Sequence, residues 1–166
     1  MLTARQNIGN GPDGIAATLA LLTRWKNYYG TLPVIRRAAL VIAGSMEDND
    51  SAQQAATLAQ FVRRALVYQT DPVNSEYIQS PDVLLLAIAT SPSGTAAGDC
   101  DDHVVLFASL AESLGIACDV AGVVSPDAQT VNHVIAVAHL DGRDVQIDLC
   151  AKENYQPVYG ELLIVE

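Results

Sequence analysis

The sequence GDCDD at residues 98–102 places Cys100 between acidic residues, at the start of a helix predicted over residues 99–114. Small residues precede this sequence, apolar residues at helical spacing follow it, and Gly115 ends the pattern. A helix N-terminus lowers the pKa of a thiol, whereas three neighbouring carboxylates raise it. Cys100 is therefore either a nucleophile, which then needs a cationic group nearby, or a small buried residue.

A hairpin later in the chain offers a histidine as the cationic group that a nucleophilic Cys100 needs. Asp141-Gly142 lies between two apolar runs and predicts a two-residue turn in which Leu140 pairs with Arg143. In this register His133 and Asp148 are diagonal neighbours on one face of the sheet, close enough for the carboxylate to reach the imidazole. The base of a nucleophile and the group that orients this base require such an arrangement.

The other cysteines and histidines are weaker candidates for this chemistry. His139 would face Asp144 at the tip of the hairpin, which predicts a solvated ion pair. Cys150 lies at a strand end without a helix dipole and is interpreted as a small buried residue, and Cys118 is assigned to the core. His103 is expected at the surface or in a supporting position. The cysteines and histidines lack the short spacings of zinc sites, so no metal is expected.

The composition excludes several classes of protein. The 166 residues suit one domain, and an apolar content of 50% with 17% charged residues excludes disorder for most of the chain. The net charge of −10 is concentrated after residue 70, so nucleic acid is not an expected ligand. No apolar run is long enough for a membrane span, and no signal peptide or nucleotide-binding motif is found. Three cysteines cannot all pair, which predicts synthesis in a reducing, cytoplasmic compartment.

The order of the predicted elements indicates an α+β fold, because helices come first and antiparallel strands follow. Ser51 and Gln54 predict a capping box at the start of the third helix. Helices are predicted over 15–29, 33–43, 51–70, 81–89 and 99–114, and strands over 116–124, 133–140, 143–149 and 162–165.

Three short sequences in this order resemble the transglutaminase-like superfamily. They are GDCDD at 98–102, NHV at 132–134 and QID at 146–148. VYQTDP at 67–72 and EYIQSP at 76–81 resemble its bacterial and bacteriophage branch of cysteine peptidases. The resemblance covers residues 35–150 and implies a papain-like α+β fold, in which the nucleophile helix packs on an antiparallel sheet. His103 and the sequence LCAK at 149–152 depart from the family pattern.

The resemblance also implies a domain organisation. Residues 1–14 are expected to be a flexible N-terminus, and residues 15–166 a single transglutaminase-like domain. Within this domain, residues 15–50 form a helical part and residues 51–166 the catalytic core.

The activity implied by the resemblance is acyl transfer through a thioester, without a cofactor. Cys100 would attack an amide carbonyl, His133 would carry the proton and Asp148 would orient His133. The N–H of Cys100 would bind the oxyanion, and Gln79 or Tyr77 would either assist or simply hold the loop. The expected substrate is a peptide or protein. Hydrolysis is favoured over cross-linking, because the chain is short.

The same resemblance leaves a second class of function open. The domain could be a structural or assembly protein of a bacteriophage virion, with its triad vestigial or used only on a local target. Its partner would then be another component of phage assembly, and its location the virion. Ionisation of Cys100 near neutral pH would distinguish an enzyme from such a binding module.

Overall fold

The structure is a computed structural model that describes residues 4–6, 12–44, 50–71, 76–124, 128–151 and 157–165. No helix in these ranges is long and apolar enough to cross a membrane. The helices are α1 (Pro12–Gly30), α2 (Pro33–Ala43), α3 (Ser51–Ala65), α4 (Pro81–Thr90) and α5 (Cys100–Ser113). The strands are β1 (Ala4–Gln6), β2 (Leu66–Tyr68), β3 (Glu76–Ile78), β4 (Ala96–Gly98), β5 (Cys118–Val123), β6 (His133–Leu140), β7 (Arg143–Ile147) and β8 (Leu163–Ile164).

Helix α5 lies at the centre of the fold. It packs against the other four helices and against β4, β5 and β6. Twelve of its 14 residues are buried, so the helix has no solvated face of the kind that surface helices show. Asp99 caps its N-terminus, because the Asp99 side chain accepts a hydrogen bond from the N–H of Asp101 at 3.1 Å.

A buried ion pair joins α1 to α5. Lys26 is only 6% exposed, and its Nζ lies 2.8 Å from Oε1 of Glu112. The same Glu112 oxygen accepts the N–H of Cys118 at 3.0 Å, which ties the start of β5 to this pair. Because a buried charge is costly without a partner, this contact holds α1, α5 and β5 in one arrangement.

The main sheet is antiparallel, with strand order β7-β6-β5-β8. Its hairpin has the predicted turn: Asp141 and Gly142 have φ angles of 50° and 74°, and Leu140 pairs with Arg143. The predicted register continues to the pair of Ala136 and Ile147, where β7 ends. A second apolar cluster, defined as Ala121, Val123, Ile135 and Val137, is covered by Tyr159 and Leu162.

The α+β fold class is confirmed, and the differences from the predictions lie in short elements. Helix α3 ends at Ala65, because residues 66–68 form β2. Strand β2 pairs in parallel with β4, and no strand was predicted in the small-residue segment that contains β4. The cap of α3 is Asp50, whose Oδ1 accepts the N–H of Gln53 at 2.9 Å, so the predicted capping box from Ser51 is wrong.

The segment expected to be a flexible N-terminus, residues 1–14, contains β1 and the beginning of α1. Strand β1 pairs antiparallel with β3. Residues 1–3 and 7–11 lie outside the described residues, as do residues 45–49 at the expected boundary near residue 50. The mobility of the N-terminus and the domain limits therefore stay predictions.

Gly98, the last residue of β4, is expected to tolerate no side chain. A β-carbon at this position would lie 2.7 Å from Cβ and 2.8 Å from Oδ2 of Asp102. We expect Gly98→Ala to lower the free energy of unfolding by about 1–3 kcal/mol, measured by urea denaturation. Gly160→Ala is the control, because a β-carbon there meets nothing within 4 Å. Equal stability of the two variants would contradict this prediction.

Candidate active site

Cys100 is the first residue of α5 and directly follows the turn after β4. As the first helical residue, it has no partner for its N–H inside the helix, so this N–H is oriented for an external acceptor. The half-buried thiol donates a weak hydrogen bond to Oδ1 of Asp101, with an S–O distance of 3.6 Å. Its sulfur accepts a hydrogen bond from the N–H of Val134. The nucleophile candidate therefore lies against the start of β6, next to His133.

The surroundings of Cys100 favour the neutral thiol. Burial raises the pKa of Cys100 well above its usual value, and the negative charges of Asp101 and Asp99 raise it further. The hydrogen bond from Val134 lowers this pKa but does not compensate. The expected lowering by the helix N-terminus is thus overcome, and this site does not ionise Cys100 near neutral pH, which is the outcome that the sequence analysis assigned to a binding module. An enzyme would need a base that deprotonates Cys100 during the reaction.

His133 and Asp148 are in contact, as their predicted register requires. Nε2 of His133 lies 3.0 Å from Oδ1 of Asp148, whose side chain is 5% exposed. Because β7 ends at Ile147, Asp148 belongs to a turn, and its Oδ1 also accepts the N–H groups of Cys150 at 3.0 Å and Ala151 at 3.1 Å. With Nε2 bound to the carboxylate, Nδ1 is the imidazole nitrogen available to a nucleophile.

Two further residues hold Asp148, and sequence reasoning found neither. The hydroxyl of Tyr159 donates to Oδ2 of Asp148 at 2.8 Å, and Nη2 of Arg63 donates to its backbone carbonyl at 2.8 Å. Burial raises the pKa of Asp148, but hydrogen bonds from His133, Tyr159 and Cys150 outweigh burial and leave this pKa below its usual value. Asp148 is therefore ionised at neutral pH and can orient a histidine.

Gln79 supports the first turn of α5. Its Nε2 donates to the carbonyl of Ala97 and to Oδ2 of Asp102, both at 2.9 Å, while its backbone N–H donates to Oδ1 of Asp102 at 2.7 Å. Burial still raises the pKa of Asp102 to about 6. An oxyanion role for Gln79 would require it to break these bonds, so the contacts favour the loop-holding role. The N–H of Tyr77, the other candidate, donates to the carboxylate of Asp71.

The profile of the Transglutaminase-like superfamily matches residues 39–149, which is more than half of the chain and includes all three residues of the candidate triad. The chain belongs to this superfamily. The superfamily is one of thiol-dependent enzymes, and this membership agrees with the contacts of Cys100, His133 and Asp148. A search of curated proteins finds no significant match to the sequence.

Two solved structures share the fold of this transglutaminase-like chain. A "putative protease" from Parabacteroides distasonis has a TM-score of 0.60 and 13% identity, over 87% of this chain and 31% of the other. A "putative cysteine protease" from Cytophaga hutchinsonii has a TM-score of 0.51 and 16% identity, over 70% of this chain and 36% of the other. The transglutaminase-like chain thus spans about a third of the length of each structure.

Three further residues considered in the sequence analysis, His103, Cys118 and Cys150, are not members of the candidate triad. His103 is 2% exposed and its Nδ1 lies 2.6 Å from the carbonyl of Asp99. Of its two predicted positions, the surface one is wrong, and the supporting one agrees with this contact. Burial lowers the pKa of His103, which favours its neutral form. Cys118 is buried in β5 as predicted. Cys150 is half-buried, and lies close enough to Cys100 that a charge on Cys150 raises the pKa of Cys100.

Tyr68, which lies near the thiol, is a third residue that the sequence analysis did not identify. It pairs with Gly98 across β2 and β4, within a segment predicted to be helical. Burial, followed by the charge of Cys100, raises the pKa of Tyr68 to about 12. Its phenol therefore stays protonated and can donate a hydrogen bond beside Cys100.

Among the described residues, one group of side chains could bind a metal ion. Ligand atoms of Asp99, Cys100 and Asp101 lie within 4.8 Å of one another. The Asp99 side chain already caps α5, and Asp101 accepts the thiol hydrogen of Cys100. Hydrogen bonding within the first turn of α5 therefore accounts for this cluster.

Removing the charge of Asp101 is expected to make Cys100 more reactive. Asp101→Asn keeps an acceptor for the thiol but removes a negative charge, so the pKa of Cys100 falls. We expect iodoacetamide to alkylate Cys100 about tenfold faster at a fixed pH below this pKa. The control is Asp141→Asn, which removes an exposed charge at the hairpin tip. Peptide mass spectrometry measures both rates, and identical profiles for Asp101→Asn and the wild type would contradict the prediction.

His139 is expected to stabilise the fold in a pH-dependent manner. Its Nδ1 lies 2.7 Å from Asp144 and its Nε2 lies 3.0 Å from Asp119. The hydrogen bond to Asp144, followed by that to Asp119, raises the pKa of His139. This stabilisation is therefore fully present below the unfolded-state pKa of about 6.5, and is lost as the pH rises through the higher folded-state value.

The measurement compares the urea denaturation of wild type and His139→Gln at acidic and alkaline pH. The difference in stability should be larger at acidic pH and small throughout, because the His139 side chain is 38% exposed. A larger difference at alkaline pH would show the opposite linkage and would contradict the ion-pair interpretation.

Proposed function

We propose that the chain is a cysteine peptidase or amidase that hydrolyses an amide bond through Cys100, His133 and Asp148. The observation that supports this function is the 3.0 Å hydrogen bond between His133 and Asp148, at the start of the strand whose Val134 N–H reaches the Cys100 sulfur. Membership of a superfamily of thiol-dependent enzymes supports it independently.

The first step follows from the neutral state of the thiol. As the Cys100 sulfur attacks the amide carbonyl, Nδ1 of His133 takes the thiol proton. The ionised Asp148 stabilises the imidazolium that forms and holds its orientation. The carbonyl oxygen becomes an oxyanion, and the N–H of Cys100 and the hydroxyl of Tyr68 supply hydrogen bonds to it.

The second step releases the amine and then the acid. The C–N bond breaks as His133 gives its proton to the leaving amine, which leaves a thioester on Cys100. Water then attacks the thioester and passes a proton to His133. Release of the carboxylic acid returns a proton to sulfur and regenerates the thiol. An amine in place of water would give transamidation by the same residues.

The triad is tested by cleavage of a library of peptide amides, read as newly formed amino termini. Cys100→Ala should abolish cleavage, and His133→Ala or Asp148→Asn should lower kcat by about 10⁴- to 10⁶-fold. His139→Ala is the matched control, because His139 also contacts carboxylates but lies outside the candidate triad. Cleavage that persists in Cys100→Ala would contradict this mechanism.

A second measurement separates this proposal from the assembly role predicted from the resemblance. Alkylation of Cys100 near neutral pH should slow in His133→Ala, with Cys118 and Cys150 as internal references. If wild type cleaves no peptide amide and alkylation of Cys100 does not depend on His133, the proposed activity fails. The hypothesis of a virion assembly protein would then be favoured.

A further inference from the structure

Asp148 is bound on both of its carboxylate oxygens. Oδ1 accepts hydrogen bonds from His133 and from the N–H groups of Cys150 and Ala151, whereas Oδ2 accepts the hydroxyl of Tyr159 at 2.8 Å. A carboxylate held on one oxygen alone can rotate about its Cα–Cβ and Cβ–Cγ bonds. The bond from Tyr159 to Oδ2 therefore adds to the contacts on Oδ1 and restricts rotation of the carboxylate away from the imidazole.

Tyr159 is itself held at its backbone by one side chain. The N–H of Tyr159 donates to Oε1 of Gln146 at 2.7 Å, and Nε2 of Gln146 donates back to the carbonyl of Tyr159 at 2.9 Å. Gln146 lies in β7, where its backbone pairs with Val137. This two-bond clamp fixes the C-terminal segment 157–165 on the sheet at the position of Tyr159.

The ring of Tyr159 has apolar and aromatic contacts as well. It packs against the cluster of Ala121, Val123, Ile135 and Val137, and its centroid lies 6.3 Å from that of His133. Because a buried tyrosine hydroxyl needs a polar partner, these contacts direct the hydroxyl to Asp148. The position of Tyr159 is thus set by its backbone, its ring and its hydroxyl together.

We propose that Tyr159 is a positioning residue for the reaction and that Gln146 holds Tyr159 in place. This inference rests on the proposed function. Tyr159 acts through Asp148: it holds the carboxylate that contacts Nε2 of His133, which leaves Nδ1 of His133 for the thiol proton in the proposed mechanism. The candidate active site then includes Tyr159, which follows Asp148 in the sequence.

Other charged and titratable groups also face Asp148. Arg63 of α3 binds its carbonyl, His103 of α5 senses its charge, and the Cys150 thiol lies in the same turn. The substitution Tyr159→Phe leaves all of these groups chemically unchanged. A change in Tyr159→Phe can therefore be assigned to the lost hydrogen bond on Oδ2.

The test is Tyr159→Phe, which removes the hydroxyl and keeps the ring. We expect kcat to fall about tenfold with little change in KM, because one hydrogen bond to a charged group is lost. The pKa of Asp148, followed by ¹³C NMR of its carboxyl carbon, should rise. The acid limb of the pH–rate profile should therefore move to higher pH, since Asp148 must be ionised to act.

Two variants complete the design. Gln146→Ala leaves the hydroxyl but removes both backbone bonds, so it should produce a smaller change in the same directions. Tyr28→Phe is the matched control, because Tyr28 is 56% exposed on α1 and has no part in the site. If the Asp148 titration and kcat of Tyr159→Phe match those of Tyr28→Phe, the positioning role is wrong.

Failure of this inference differs from failure of the proposed function. If wild type cleaves peptides and Tyr159→Phe is unchanged, only the inference is overturned. If wild type cleaves nothing, the Asp148 titration and the ¹⁵N shifts of His133 still decide the positioning role. Tyr159→Phe could also lower the stability of the fold without affecting Asp148. In that case the urea denaturation midpoint would change and the Asp148 titration would not, which would also overturn the inference.

Discussion

Twelve of the 14 residues of helix α5 are buried, so the polar side chains of its first turn need partners inside the fold. The Asp99 side chain binds the helix N-terminus, and the Asp99 carbonyl binds His103. Gln79 supplies three donors, two of them to Asp102 through its side chain and backbone and one to Ala97. Because unpaired buried polar groups are costly, these bonds leave one arrangement for the turn and thereby place Cys100.

The same buried turn has an electrostatic consequence for the chemistry. Carboxylates that complete the turn surround the sulfur with negative charge and keep the pKa of Cys100 high. In the proposed mechanism the thiolate therefore forms during attack, with His133 as the base and Asp148 balancing the charge of the imidazolium. Stability of the helix start and reactivity of the thiol therefore make opposite demands on Asp99 and Asp101. In the proposed mechanism, His133 on β6 and Asp148 in the turn after β7 reconcile these demands, because they deprotonate Cys100 while the carboxylates of the helix start stay in place.

Local sequence signals predicted the hairpin turn and the register of the two strands that it joins. Two residues suited to positive φ set the hairpin turn, so the register of β6 and β7 followed from Asp141-Gly142. Asp148 reaches His133 from the turn just beyond the last pair of this register. Strands β2 and β4 are three residues long and pair in parallel, which leaves no alternation to detect. Burial of His103 and the contact of Tyr159 with Asp148 depend on how distant elements pack, and no spacing in the sequence encodes either.

The bond from Tyr159 to Asp148 also orders events during synthesis. A ribosome makes Cys100 first, then His133 and Asp148, and Tyr159 after them. A nascent chain that exposes Cys100 therefore has no oriented base for this thiol. Under the proposed mechanism, the triad of a growing polypeptide gains its full support only when the segment that carries Tyr159 docks. If the proposed role of Tyr159 holds, its place after the triad in the sequence delays full activation of the nucleophile.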